Sequence, residues 1–79
     1  MIRLVLYGHS YCHLCEEMHK ALLPWQQRLG FQLEIVDITG QPELEEAYGE
    51  RVPVLMCGDE EICHYFLDES AMERKFRKA

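Results

Sequence analysis

Cys12 and Cys15 stand two residues apart in the stretch HSYCHLCEEM, residues 9–18, after a short apolar run and before a helix-like pattern. Two thiols at that spacing can be a redox pair, half of a metal site, a structural disulfide, or two small buried side chains without chemistry. Their position favours the first. The thiolate is the reactive form of cysteine, and free N–H groups at a helix N-terminus stabilise it. Cys12 falls where the helix begins, and Cys15 lies one turn further in, close enough to attack a mixed disulfide on Cys12.

A zinc site would need more ligands. The remaining candidates are Cys57, Cys63, His9, His13, His19 and His64. They contain neither a second tight Cys-x-x-Cys nor a regular His-x-x-x-His, the usual completion of a tetrahedral site. Cys57 and Cys63 fall on facing strands of an expected hairpin, where free cysteines pack as small apolar groups; accessory redox and metal roles are the lesser readings. A structural disulfide depends on compartment. No signal-peptide core and no membrane-length apolar run is visible, so a cytoplasmic location is expected, where thiols are kept reduced.

The elements that must position the pair follow from periodicity. Ile2 to Tyr7 reads as a buried strand. From about Cys12, the residues Leu14, Met18, Ala21, Leu22, Trp25 and Leu29 recur at steps of three and four and form one apolar stripe. Gly30 is a C-terminal stop. Pro24 lies inside that pattern and predicts a kink or short break near Lys20 to Leu23. Phe31 to Ile38 reads as a second strand, with Phe31, Leu33 and Ile35 alternating against Gln32 and Glu34. A short helix follows, with Pro42 at its first position and Gly49 past its end. Val52 to Cys57 and Glu61 to Phe66 form a hairpin, and Asp68 caps a last helix whose inner side carries Ala71, Met72 and Phe76.

The order is β-α-β-α-β-β-α. Its first half is a βαβ unit with a right-handed crossover and parallel strands, and its second half adds an antiparallel hairpin. This predicts an α/β protein with one four-stranded mixed sheet and helices on both faces. At 79 residues, 48% hydrophobic and 28% charged, residues 1–79 are expected to form one globular domain. The net charge of −6 argues against nucleic acid and against an anionic membrane surface, both of which call for a basic face. The basic run ERKFRKA reads as the solvated end of the last helix, where cations suit the helix dipole. Val52–Pro53 opens the third strand, where proline forgoes a ladder bond; a cis bond there would bend the chain and free the Val52 backbone to pair with a substrate.

YCHLC after a strand, VDI ending the second strand, and YGERVPVL before the hairpin together resemble the glutaredoxin-like branch of the thioredoxin superfamily. The resemblance runs from Leu4 to about Met72, and the CHLCE version is most similar to small bacterial glutaredoxin-like proteins. It implies a thioredoxin-like (glutaredoxin-like) fold and a thiol–disulfide oxidoreductase. In that reading Cys12 is the exposed nucleophile, Cys15 the resolving thiol and Pro53 a cis proline beside them. No organic cofactor and no metal are implied, since the electrons reside in the cysteines. The implied partners are protein disulfides or glutathione mixed disulfides, and a monomer is expected. Two departures stand out. His13 and Leu14 replace the usual Pro-Tyr between the cysteines. His64, Tyr65, Phe66 and Leu67 replace the Gly-Gly that precedes an acid and lets the backbone of glutathione approach; Asp68 can supply that acid. Glutathione-dependent reduction is therefore the alternative to protein disulfides, and a non-enzymatic metal-binding module is the alternative outside catalysis.

Further candidates flank the pair. Arg51 can meet a substrate carboxylate or simply be a solvated strand-end arginine. Tyr11 can shield the site or pack on the domain. Protonated His13 would favour a thiolate, whereas Glu16 and Glu17 oppose one. His9 and Asp37 read as structural, a loop residue and a strand-end carboxylate bonding the next turn.

Overall fold

The computed structural model describes residues 2–10 and 12–77. Its elements are β1 (Arg3–Gly8), α1 (His13–Leu29), β2 (Gln32–Asp37), α2 (Pro42–Tyr48), β3 (Val54–Cys57), β4 (Glu60–His64) and α3 (Glu69–Arg77). The sheet order is β2-β1-β3-β4. β1 and β2 are parallel, whereas β1–β3 and β3–β4 are antiparallel. The hairpin register steps from Leu55–Cys63 to Met56–Glu61, a bulge that skips Ile62.

Alternation along β1 sorts the helices. Leu4 and Leu6 point to one face, where they join Met18 and Leu22 of α1 and Met72 of α3 in a single buried cluster with Leu55 and Cys63. Phe31, just before β2, and Phe76 of α3 stack at 5.4 Å and close that cluster. Tyr7 points to the other face and stacks on Tyr48 of α2 at 4.3 Å. Helices thus cover both faces, as the sequence pattern predicts. Asp68 accepts the Ala71 N–H at 3.1 Å and caps α3.

Two expectations need correction. The short break expected near Lys20 to Leu23 does not occur: α1 runs unbroken from His13 to Leu29. Pro24 and Lys20 both lie on the exposed side of the helix, so the hydrogen bond that proline forgoes falls away from the core while the apolar stripe keeps its register. Gly30 then ends the helix at φ 76°, a left-handed conformation costly for a residue with a Cβ. Ile35 is also not part of the core: β2 is an edge strand, and Ile35 is 52% exposed.

Candidate active site

The topology gathers several segments at one end of the sheet. β1 leaves the sheet there toward the cysteines, and its last residue Gly8 is in register with Asp37, the last of β2. β3 runs antiparallel and enters at the same end, with Tyr7 opposite Val54. Val54 is in turn opposite His64, the last residue of β4. The redox loop, the turn after β2, the Val52–Pro53 bond and the turn after β4 therefore share one rim.

Cys12 is the N-cap of α1, with extended backbone (φ −90°, ψ 112°), and its Sγ accepts the Cys15 N–H at 3.1 Å. The sulfur thus occupies the place of a capping oxygen and faces the donor end of the helix. Cys12 and Cys15 are joined as a disulfide, with Cα atoms 5.1 Å apart. Both are half-buried.

Gly8 lies behind the pair. A Cβ built on it would sit 2.6 Å from Cys15 Sγ and 3.1 Å from Cys15 Cβ. The absence of a side chain at Gly8 is what lets the inner sulfur lie against β1. A cleft of about 250 Å³ on the α1–β2 side is lined by Cys15 together with His19 and Asp37.

The redox loop is tied to the turn after β2. Ser10 donates its hydroxyl to Asp37 Oδ2, Thr39 N–H donates to Asp37 Oδ1 at 2.9 Å, and His9 Nδ1 is bonded to Thr39 Oγ1 at 3.0 Å. The Ser10 hydroxyl foremost, with the Thr39 donors, holds the Asp37 carboxyl below its ordinary range. Ser10 and Gly8 carry no signal of their own in the sequence, beyond a glycine at a strand end being a hint of close approach.

The Val52–Pro53 bond is cis. Pro53 is buried, Val52 half-buried, and the Pro53 carbonyl accepts the Tyr65 N–H at 2.9 Å. Arg51 is engaged within the protein: its guanidinium pairs with Glu61, donates to the Ala47 carbonyl at 2.8 Å, and lies 5.8 Å over the Tyr48 ring. Burial opposes ionisation of Glu61, but His64 and Arg51 outweigh it and its pKa is lowered. His13 is highly exposed, with its ring nitrogens 4.0 Å from the carboxylates of Glu16 and Glu17. Tyr11, the remaining candidate, lies outside the described residues. Cys57 and Cys63 are free thiols; burial pushes the Cys63 thiol up. Among the described residues, no three of His, Cys, Asp and Glu gather into a group that could hold a metal ion, and no helix is long and apolar enough to cross a membrane.

The turn after β4 keeps a glycine-like backbone without glycine. Tyr65 has φ 66°, in the left-handed region that side chains disfavour. Phe66 N–H donates to the His64 carbonyl at 2.7 Å, closing a three-residue turn around Tyr65. The Tyr65 hydroxyl donates to the Glu50 carbonyl at 2.7 Å.

Comparison with known proteins fits this geometry. Protein Ne2328 from Nitrosomonas europaea, solved by solution NMR, is 43% identical, covers 94% of this chain and 89% of its own, and superposes with a TM-score of 0.85. An X-ray structure of a protein from X. campestris is 34% identical over 96% of this chain and 97% of its own, with a TM-score of 0.73. The glutaredoxin-like NrdH-redoxin from Escherichia coli shares the fold at 23% identity, over 98% and 97% of the two chains, with a TM-score of 0.63. A family model described as Glutaredoxin-like domain (DUF836) matches residues 3–77. With the Cys-x-x-Cys pair at the head of α1, this supports a thiol redox function, and the chain belongs to the glutaredoxin-like domain family.

Proposed function

We propose that the protein is a thiol–disulfide oxidoreductase that reduces protein disulfides. The observation that carries this reading is Cys12 Sγ at the N-cap, accepting the Cys15 N–H. In the dithiol form the same donor stabilises a Cys12 thiolate. That thiolate attacks one sulfur of a substrate disulfide; the Cys12–substrate bond forms, and the substrate S–S bond breaks to release one substrate thiolate, which takes a proton from solvent. Cys15 loses its proton and attacks Cys12 Sγ. The mixed disulfide breaks, the second substrate thiol leaves with a proton, and Cys12–Cys15 is oxidised. Two electrons pass to the substrate, and an external thiol reductant restores the dithiol.

Protein substrates are preferred to glutathione for two reasons. Tyr65 and Phe66 put aromatic side chains where the family resemblance implies bare glycine backbone. Asp68, the acid expected for the glutamyl end of glutathione, already caps α3. A ligand group left unpaired there costs about 1–3 kcal/mol, or roughly one to two decades in specificity.

Cys15→Ser tests this reading. The variant is expected to trap protein partners on Cys12 as stable mixed disulfides and to lose turnover. Full-rate glutathione-coupled reduction by Cys15→Ser would overturn the preference for protein substrates. Stoichiometric zinc in protein purified under reducing conditions would favour a metal-binding module instead.

A further inference from the structure

Phe66 is 67% exposed, the most exposed of the large apolar side chains among the described residues. It is held outward by the turn at Tyr65, whose backbone is left-handed at φ 66°. Conformations of that kind persist only where surrounding contacts impose them. Here the contacts are specific: Tyr65 N–H is bonded to the Pro53 carbonyl and the Tyr65 hydroxyl to the Glu50 carbonyl. The aromatic ridge is thus anchored directly to the cis-proline segment.

Phe66 separates two grooves. One, of about 260 Å³, runs between α1 and the start of α3; its floor includes Met18, Ala21 and Leu67, and Glu17 and Glu69 stand on its rim. The other, of about 400 Å³, has Asp68 and Glu61 on its border. Glu61 is paired with the Arg51 guanidinium and hydrogen-bonded to His64, whereas Glu17 and Glu69 are exposed. The first groove therefore combines an apolar lining with two exposed carboxylates at its edge. The nearest cationic candidates on α1 are His13, which lies beside Glu16 and Glu17, and Lys20.

Distance to the disulfide sets the register of a bound segment. Cys12 and Glu17 are five residues apart on one helix, about 7.5 Å along its axis. An extended chain advances about 3.3 Å per residue, so a side chain about two residues from a reacting cysteine reaches the groove.

We propose that this ridge and the groove beside it dock the partner protein, and that the partner presents an apolar side chain flanked by lysine or arginine about two residues from its disulfide cysteine. Charge complementarity selects this occupant: the exposed rim carboxylates Glu69 and Glu17, the latter 4.0 Å from the exposed His13 ring, favour cations and repel acidic segments. The proposal rests on the thiol–disulfide reading above and specifies its substrate class.

The test uses two peptide disulfides of equal length, each with leucine two residues from the cysteine. One carries lysine on either side of the leucine and the other glutamate. Bis(2-hydroxyethyl) disulfide is the small reference substrate. The lysine peptide is expected to show a kcat/KM about ten-fold above the glutamate peptide at low salt, with the gap narrowing as salt rises. Phe66→Ala is expected to lower the ratio of lysine-peptide to small-disulfide rate about ten-fold, and Glu17→Lys with Glu69→Lys to reverse the peptide preference. Leu23→Ala, an exposed apolar change elsewhere on α1, is the control that leaves the ratio in place.

Binding is measured separately, by titrating the two peptides with serine in place of cysteine. Tighter binding of the lysine form, lost in Phe66→Ala, supports the docking site even if no disulfide is turned over, an outcome that would sink only the oxidoreductase reading. Equal binding of the two serine peptides, with turnover intact, overturns the docking site alone. A wild-type dimer that becomes monomeric in Phe66→Ala would assign the ridge to a second copy of the chain and overturn the proposal too.

Discussion

Replacing Gly8 with alanine inserts one methyl group against the inner sulfur. The new Cβ would lie 2.6 Å from Cys15 Sγ, where ordinary contacts are about 3.5–4.0 Å. An overlap of about 1 Å in a packed site costs about 1–3 kcal/mol. The disulfide holds Cys15 Sγ in place, so the oxidised form bears this cost. In the reduced form the sulfur is free to take another rotamer, although the 3.1 Å approach to Cys15 Cβ remains. The difference between the two forms is therefore about 1–2 kcal/mol. Destabilising the oxidised form relative to the dithiol makes the disulfide easier to reduce. At about 30 mV per 1.4 kcal/mol for a two-electron couple, Gly8→Ala raises the Cys12–Cys15 potential by about 20–40 mV. Equilibration against a graded glutathione buffer, with the two forms separated by mass after trapping free thiols, measures the shift. Urea unfolding of the oxidised and reduced variants checks it independently, because the oxidised form should lose more stability. An unchanged potential, or a shift to a more negative value, would refute the packing argument.

Two further outcomes follow from the same geometry. In the reduced native protein, Cys12 is expected to alkylate first and Cys63 last, because burial keeps the Cys63 thiol protonated; mass spectrometry of partly modified protein reads the order, and equal rates for the two would contradict it. Asp37→Asn is expected to lower the Tm at neutral pH and to flatten its acid limb. The folded Asp37 carboxyl titrates below its ordinary value, so its stabilisation is present above the unfolded pKa of about 3.9 and is lost as pH falls through the lower folded value. The two Tm curves should converge in acid, and parallel curves would show that Ser10 and Thr39 do not stabilise the carboxylate.

What the sequence discloses is mostly local. The Cys12 cap, Pro42 at the head of α2, the Gly30 stop and the Asp68 cap are written in short stretches whose chemistry acts within one helical turn. The cis bond at Pro53 came only through the family resemblance, since proline alone admits both isomers. The rest needs tertiary placement. Ile35 continues an alternation that says nothing about whether a helix covers that part of the sheet. Gly8 and Cys15 are seven residues apart, and their contact exists only because α1 folds back over β1. Ser10 and Asp37 meet across a parallel pair of strands. Tyr65 holds a left-handed backbone that its residue type disfavours, so the hydrogen bonds it donates to the Pro53 and Glu50 carbonyls decide it. Pro24 shows the converse: local chemistry pointed to a break, and an exposed position removed the need for one.

α3 also has an electrical consequence. It starts beside the redox rim at Glu69 and carries Arg74, Lys75 and Arg77 in its last turn. Lys75 reaches Glu60 at 2.5 Å, and Glu60 begins β4 at the end of the strand away from His64. Cations therefore collect at one pole, while Glu16, Glu17, Asp68 and Glu69 collect at the other. In a chain with a net charge of −6, this separation gives the molecule a permanent dipole along its sheet. In the field of a positively charged partner such a body turns before it touches, with the thiol pole leading, so a larger share of encounters begins in a reactive orientation.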